Sequence, residues 1–292
     1  MASVCVLYNP ACCGGKGEEA ARGTARFFPG DELIFRDIRG IRDYPAFFSA
    51  LDPGMRVILC GGDGTLNRFI NDTDGLRVAQ PLFYQACGTG NDFLRDIKRT
   101  PDDGPVELAP YLKDLPYVTV GGRTLRFLNN VGFGIDGYCT EEGDRLRAAG
   151  KTNINYAGIA IKGLLGAFKP VTATVTVDGK TETFRKAWLA PTMKGRFYGG
   201  GMMAAPAQDR LDPRETLSVV LFYGKGKLKT LMAFPSIFQG EHIKHSDMVR
   251  ILTGREITVR FDRPCPLQID GETVSGVTEY HVCTASLRCA RR

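Results

Sequence analysis

Three times in its first hundred residues the chain runs from a short apolar stretch into a glycine-rich turn and out into a helical pattern. Residues 4–8 lead into Asn9-Pro10-Ala11-Cys12-Cys13-Gly14-Gly15-Lys16-Gly17. Residues 56–60 lead into Gly61-Gly62-Asp63-Gly64-Thr65-Leu66-Asn67, and residues 81–85 into Gly88-Thr89-Gly90-Asn91-Asp92-Phe93. Helical patterns are expected over 18–28, where Ala21, Ala25 and Phe28 form a stripe, and over 44–51, 65–71 and 91–97; a further strand is expected over 32–38. Strands alternating with helices at this spacing make βαβ units and a parallel sheet. In open sheets of that kind ligands bind beyond the carboxyl ends of the strands, which is where these glycines fall. Glycine lets a backbone approach a phosphate without a Cβ in the way, and a helix N-terminus adds free N–H donors and a positive dipole end. One such turn is weak evidence. Three that could face one crevice are a far stronger signal.

From about residue 115 the pattern changes to hairpins. Residues 117–120 and 124–128 flank Gly121-Gly122, and 171–177 and 181–188 flank Asp178-Gly179, with Val and Thr alternating. Further strands are expected at 217–223, 256–261, 266–269 and 280–284, with helical stretches at 137–149, 153–168 and 227–238. Two domains follow: an α/β domain over 1–115 and a β-rich, antiparallel domain over 116–292.

Composition narrows the classes. Thirty-eight basic against 32 acidic residues give a net charge of +6. The charge is spread out, with no basic stripe interleaved with aromatics, so a nucleic-acid partner is disfavoured. No apolar run approaches the roughly 18–20 residues needed to cross a bilayer. The longest, 157–168, carries Lys162 in its middle, and the N-terminus lacks the features of a signal peptide. A cytoplasmic protein is expected. Nine scattered cysteines without a CxxC pair imply reduced, mostly buried thiols. His242 and His245 have the look of a metal pair, but with no acidic or cysteine partner nearby a basic surface helix end is expected instead.

Within the turns Asp63 stands out. A carboxylate between glycines in an anion site is costly unless it binds Mg²⁺ or orients a hydroxyl nucleophile. Its plainer role is an N-cap to the helix near Thr65. Neither GxxxxGK[ST] nor GxGxxG is present, so this is not a standard P-loop ATPase or dinucleotide-binding domain.

Gly61–Asn67, GGDGTLN, resembles the nucleotide-binding signature of the diacylglycerol kinase catalytic-domain family, which also holds sphingosine and ceramide kinases. Other segments follow in the family's order. The Asn9-Pro10 turn is similar to its NPxSG loop, and GTGNDF at 88–93 to its GTxND element. The stretch 129–136, NNVGFGID, resembles the segment entering its second domain; 198–203 with Pro206 is similar to its glycine-rich stretch, and Asp270-Gly271-Glu272 to its DGE. GGDGT alone is shared in shorter form with NAD kinases and phosphofructokinases. Three departures stand out. Ala11-Cys12-Cys13 replaces a Ser-Gly, the region after residue 35 lacks a threonine, and the family's later Asp-Gly appears as Asp209-Arg210-Leu211-Asp212-Pro213, which leaves Asp212 as the nearest match to an acidic metal site.

The resemblance implies that residues 1–115 are a nucleotide-binding α/β, Rossmann-like domain of the NAD-kinase and lipid-kinase kind, and that residues 116–292 are a β-rich, substrate-binding antiparallel β-sandwich. It implies an ATP- and Mg²⁺-dependent lipid kinase, with diacylglycerol as acceptor and phosphatidic acid as product. The nucleotide site would comprise Asn9, Pro10, Gly14, Gly15, Gly17, Gly61, Gly62, Gly64, Thr65, Asn67, Gly88, Thr89, Asn91 and Asp92. Asp270 would serve as base beside Glu272, the two pointing the same way if Gly271 is extended, and Asp63 would orient or hold Mg²⁺ through water. Asp-Gly is also a common turn pair. A lipid acceptor implies transient contact with the inner membrane face, where Lys225, Lys227 and Lys229 beside Phe222, Leu231, Met232, Phe234, Ile237 and Phe238 could dock. A solvated turn before a core helix is at least as good a reading of that segment, and a core-facing helix of 153–168. A homodimer stays open. The alternatives are an NAD-kinase-type small-molecule kinase and a catalytically inactive nucleotide- or lipid-binding regulator.

Overall fold

Val4-Cys5-Val6-Leu7 is buried throughout because its strand, β1 (Ser3–Tyr8), lies between two parallel neighbours. In the computed structural model, which describes residues 3–88, 90–151 and 154–290, the first sheet has the order β2-β1-β3-β4-β5. β2 (Glu32–Asp37), β3 (Arg56–Gly61) and β4 (Leu82–Ala86) run parallel to β1 or to each other, and the two-residue β5 (Val106–Glu107) closes the edge antiparallel. Strands covered on both faces read as continuous apolar runs, as Val57-Ile58-Leu59-Cys60 does. The chain moves from β1 outward to β2, then crosses back to β3. The order therefore reverses between β1 and β3, the kind of switch point at which open sheets bind ligands.

The helix Asp63–Asp72 follows β3 and buries Leu66, Phe69 and Ile70 at helical spacing. Phe69 meets the rings of Tyr44 and Phe48, at 5.7 and 6.3 Å, on the helix Tyr44–Ser49. That helix starts where the Asp43 side chain accepts from Ala46 N at 2.8 Å. The helix expected over 18–28 is α-helical only over Gly17–Arg22 and continues as a 3₁₀ segment, Gly23–Phe27. There the Thr24 hydroxyl donates to Ala21 O at 2.7 Å and competes with the helical ladder.

The chain divides into two units, Met1–Lys113 and Asp114–Arg292. The second is an antiparallel β-sandwich with helices. Hairpin β6–β7 (Tyr117–Val120, Arg123–Arg126) turns at Gly121-Gly122, and β9–β10 (Val171–Val177, Lys180–Ala187) turns at Asp178-Gly179. Both residues of each turn have positive φ, as a type I′ turn requires. β8 (Asn130–Phe133), β11 (Thr192–Met193), β14 (Leu217–Phe222) and β15 (Val249–Gly254) continue the main sheet, while β12 (Phe197–Tyr198) pairs with β13 (Met202–Met203). The two strands expected at 256–261 and 266–269 are one, β16 (Glu256–Ile269), which pairs with β17 (Glu272–Cys283) over 256–260, at 265 and over 267–269. β16 pairs with β9 over 257–261 and with β8 over 267–269, and its register breaks between Arg260 and Leu267, where it changes partner.

Phe133 stacks on Phe261 at 3.9 Å and meets Tyr280 edge-on at 5.7 Å. The Tyr280 hydroxyl donates to Ala190 O at 2.9 Å, so the ring is buried without stranding its polar end. Each side chain of this size buried contributes about 1.5–3 kcal/mol.

Several expectations are corrected. β15, paired with β14, has no counterpart among the expected strands. The helix expected over 227–238 is α-helical over Lys227–Ala233 and 3₁₀ over Phe234–Gln239, where Pro235 has no N–H to donate. The helix expected from residue 153, which lies outside the described residues, spans Tyr156–Lys162 and ends in a π turn, Gly163–Ala167. His242 is not on a surface helix end: it is fully buried, with Nε2 at 2.8 Å from Ala204 O and its ring stacked on Phe222. Of the eight cysteines whose side chains the structure describes, all free, only Cys5, Cys60, Cys265 and Cys283 are buried.

Candidate functional site

The three glycine turns of the first unit follow β1, β3 and β4, and the first two flank the switch point. Each glycine has its own reason. Gly17 is buried, and a Cβ there would sit 1.9 Å from Asn9 O; Gly17 N in turn donates to Pro10 O at 3.4 Å. A Cβ on Gly61 would meet the Thr65 side chain at 2.5 Å, and one on Gly88 would meet Gly62 Cα at 3.0 Å, so the second and third turns touch backbone to backbone. Gly14, Gly15 and Gly64 face open space, and Cys13, Gly14 and Gly15 have positive φ in succession.

Polar contacts tie these turns together. Asn9 Nδ2 donates to Thr65 Oγ1 at 3.2 Å, while Asn9 Oδ1 accepts from Ala11 N at 3.0 Å. Asn91, in the left-handed region, donates from Nδ2 to Gly88 O at 2.8 Å, and Asn67 is buried, accepting from Asn71 Nδ2. Asp63 is the first residue of its helix, whose N-cap is Gly62, so it is not the cap of the helix near Thr65. Its carboxylate instead accepts from Asp92 N at 2.9 Å and Phe93 N at 3.3 Å, at the start of the helix Asp92–Asp96. Asp63 thus holds the third turn in place from the second. Thr89 lies outside the described residues.

Open glycines beside the N-terminus of a ten-residue helix suit the phosphates of a nucleotide. Mg²⁺ needs only one or two protein carboxylates when phosphates supply the other oxygens, and Asp63 is a carboxylate placed at these turns.

The second unit carries the other acids. Asp270-Gly271 is not extended: both residues have positive φ, and Ile269 pairs with Glu272, so they form the two-residue turn of the β16–β17 hairpin. The two carboxylates part there. Asp270 is buried, accepting from Leu128 N, Asn129 N and Asn130 N at 2.5, 2.8 and 2.9 Å, whereas Glu272 is exposed. Asp178-Gly179 makes the same kind of turn, but Asp178 accepts from Arg255 N and Glu256 N at an exposed position. Beside Asp270, the buried Arg210 donates to Leu128 O and to Asn129 Oδ1, both at 2.7 Å. Lys194 is buried too; desolvation, then the Arg210 charge, holds its ammonium below the usual range. Asp212 accepts from Arg214 N and Nε at 3.0 Å and from Thr216 Oγ1 at 2.5 Å. The Arg214 side chain, then the Thr216 hydroxyl, keeps its carboxyl well below the ordinary value. Among the described residues no group of three or more His, Cys, Asp or Glu is placed to hold a metal ion.

Asp136 lies in the stretch 129–136, where nothing in the sequence assigns it a role. Burial pushes its carboxyl up to about 7, against the pull of the Tyr198 hydroxyl that donates to Oδ1 at 2.8 Å. Its other oxygen, Oδ2, is buried without a hydrogen-bond partner. The flanking glycines were the available signal: a Cβ on Gly132 would lie 2.9 Å from Asp136 Cβ, and one on Gly137 would lie 1.9 Å from Pro266 O. Nothing in the sequence marks Arg210 or Lys194 as buried.

Residues 3–112 match the family model of the diacylglycerol kinase catalytic domain, and residues 129–288 that of the YegS C-terminal NAD kinase beta sandwich-like domain. The chain is 27% identical over 279 residues to YtlR of Bacillus subtilis (strain 168), which carries the name of a candidate lipid kinase; the match covers 87% of this chain and 82% of that one. It is 26% identical over 278 residues to the diacylglycerol kinase of Mycobacterium tuberculosis (strain ATCC 25618 / H37Rv), covering 90% and 86%. The crystal structure of a candidate diacylglycerol kinase from Bacillus anthracis str. Sterne shares the fold, with a TM-score of 0.66 at 19% identity over 97% of this chain and 92% of that one.

Proposed function

The chain belongs to the family in which a diacylglycerol kinase catalytic domain precedes a YegS-type C-terminal domain, a family of lipid kinases that phosphorylate an alcohol, and from that premise we propose that it transfers the γ-phosphoryl group of ATP to diacylglycerol, giving phosphatidic acid. The observation that carries this reading is the set of three glycine turns at the carboxyl ends of β1, β3 and β4, two of them at the switch point.

In this proposal Gly14, Gly15, Gly61, Gly62, Gly64 and Thr65 hold the phosphates, with Asn9 fixing the Thr65 hydroxyl. Asp63 keeps Asp92 and the third turn in register and is the carboxylate offered to Mg²⁺. When bound, Mg²⁺ supplies charge neutralisation between the phosphate oxygens. The acceptor hydroxyl's proton is assigned to Asp270, whose orientation three amides fix, and Glu272 is assigned to the solvent side of the same turn.

An acceptor buried in a bilayer requires a surface that meets lipid. Among the described residues no helix is long and apolar enough to cross a membrane. Leu228 and Met232, on the helix Lys227–Ala233, are 72% and 75% exposed, and Ile161, Leu165 and Phe238 are exposed as well. Lys227 Nζ donates to Leu165 O at 3.1 Å, which ties that helix to the π turn Gly163–Ala167. Phe222, Phe234 and Ile237 are core residues, so only the outer part of the segment can touch a membrane. Lys225 and Lys229 both reach Asp247, at 3.1 and 2.7 Å, which tempers their charge.

The test offers the purified chain Mg·ATP with diacylglycerol, sphingosine, ceramide, undecaprenol and NAD. Label in phosphatidic acid is expected. Transfer to NAD and to no lipid overturns the reading, and ATP binding without transfer to any acceptor favours a regulator.

A further inference from the structure

The first and third glycine turns carry thiols that meet over Thr65. Cys12 Sγ lies 3.1 Å from Thr65 Oγ1, Cys13 is its chain neighbour, and Cys87, the residue before Gly88, comes against both. Cys13 Sγ donates to Cys87 O, which pins the two turns together from a second side. Cys12, Cys13 and Cys87 are all partly open to solvent, while Cys60, at the end of β3 beneath them, is buried. We propose that Cys12 and Cys87 form a peroxide-reactive pair whose oxidation to a disulfide locks the phosphate-binding turns.

The chemistry of the site favours this assignment of roles. Cys12 sits against the N-terminus of the helix Asp63–Asp72, where the Cys87 thiol, the Thr65 hydroxyl and Gly62 N–H all donate to its sulfur. These donors, the Cys87 thiol first, hold the Cys12 thiol below its ordinary value, and the same shared proton raises Cys87. Burial pushes Cys60 up to about 12, so it stays an inert thiol, and burial likewise raises Cys13. The role of nucleophile is therefore assigned to Cys12 and that of resolving thiol to Cys87, which Cys13 also contacts.

In the first step the Cys12 thiolate attacks a hydroperoxide: an S–O bond forms, the O–O bond breaks, and the leaving oxide takes a proton to become water or an alcohol. In the second, Cys87 attacks the Cys12 sulfenic sulfur; the S–S bond forms, the S–O bond breaks, and the hydroxyl leaves as water. Two thiols are oxidised and one peroxide is reduced. A disulfide needs its sulfurs at about 2.05 Å, closer than hydrogen-bonded thiols, so closing it draws the first turn onto the third across Thr65. Lost nucleotide binding is the consequence, and that consequence alone rests on the proposed kinase reading.

The experiment treats the reduced full chain with hydrogen peroxide and follows free thiols, tryptic disulfide-linked peptides and ATP-dependent transfer together. Wild type is expected to lose two titratable thiols and to link the peptide ending at Lys16 to the one ending at Arg95. Fragmentation should place the bond at Cys12. Dithiothreitol should reverse the link, and Mg·ATP should slow its formation. Cys13→Ala should still form the link; Cys12→Ala and Cys87→Ala should not, and Cys12→Ser serves as the milder variant if alanine impairs folding, checked by thermal melting. Absence of the link in wild type, or its formation in Cys12→Ala, overturns the proposal whatever the acceptor of the kinase turns out to be. A link that forms without affecting transfer overturns the locking of the turns.

Discussion

Asp136→Asn should make the β-sandwich more stable at alkaline pH and leave it nearly unchanged in acid. The folded chain pushes this carboxyl from 3.8 up to about 7 by burial. Between those values the native state holds a proton that the unfolded chain has released, so stability falls as pH rises through that window and levels off above about 7. A shift of about 3 units at 1.36 kcal/mol each amounts to about 4 kcal/mol lost once the carboxylate is ionised. Asparagine never ionises, its carbonyl oxygen can still accept from the Tyr198 hydroxyl, and its NH₂ replaces an oxygen, Oδ2, that has no hydrogen-bond partner. The readout is built in. Trp188 is the only tryptophan and is buried in the sandwich, so its fluorescence during urea unfolding reports this unit rather than the whole chain. The variant should match wild type at about pH 4 and exceed it by as much as about 4 kcal/mol at about pH 8. An equal difference at both pH values, or a wild type that gains on the variant as pH rises, would refute the assignment of a buried, neutral acid.

Gly17→Ala places a methyl 1.9 Å from Asn9 O and should cost about 1–3 kcal/mol, seen as a lower melting temperature together with weaker nucleotide binding. Asp63→Asn turns one of its two oxygens, both of which accept backbone amides, into a donor. Turnover should drop by about 100-fold or more while circular dichroism stays native; full activity would show that the carboxylate only joins two turns. Leu228→Glu with Met232→Glu should each weaken sedimentation with anionic vesicles by about tenfold, without lowering the melting temperature, because both side chains are exposed. Unchanged vesicle binding would place the docking face elsewhere.

The first unit was legible because its physics is local. Val4–Leu7 and Val57–Cys60 are uninterrupted apolar runs, as strands covered on both faces must be, and glycine marks the end of each βα step. The helix Asp63–Asp72 starts two residues before the expected Thr65, since Gly62 rather than a side chain opens it. Tertiary contacts hid the rest. The Asp178-Gly179 and Asp270-Gly271 turns look alike in sequence and share a geometry; only the fold decides that Asp270 turns inward to three amides while Asp178 stays at the surface. His242 read as basic surface yet is buried against Phe222, and Asp136 read as one more residue of a glycine-rich stretch. A titratable residue's burial depends on partners far along the chain, which no local spacing records. The thiol pair shows the same limit: Cys12 and Cys87 are 75 positions apart and meet only because β1 and β4 both flank β3.

The proposed kinase requires one phosphate site built from three turns. Amide hydrogen exchange of the reduced chain, with and without a non-hydrolysable Mg·ATP analogue, reads that directly. Protection is predicted in peptides covering 9–17, 61–67 and 88–93 together, and it should weaken at 88–93 in Asp63→Asn, where the tie to Asp92 and Phe93 is broken. Protection confined to one turn, or found only outside all three, would contradict the claim that they bind the phosphates as a unit.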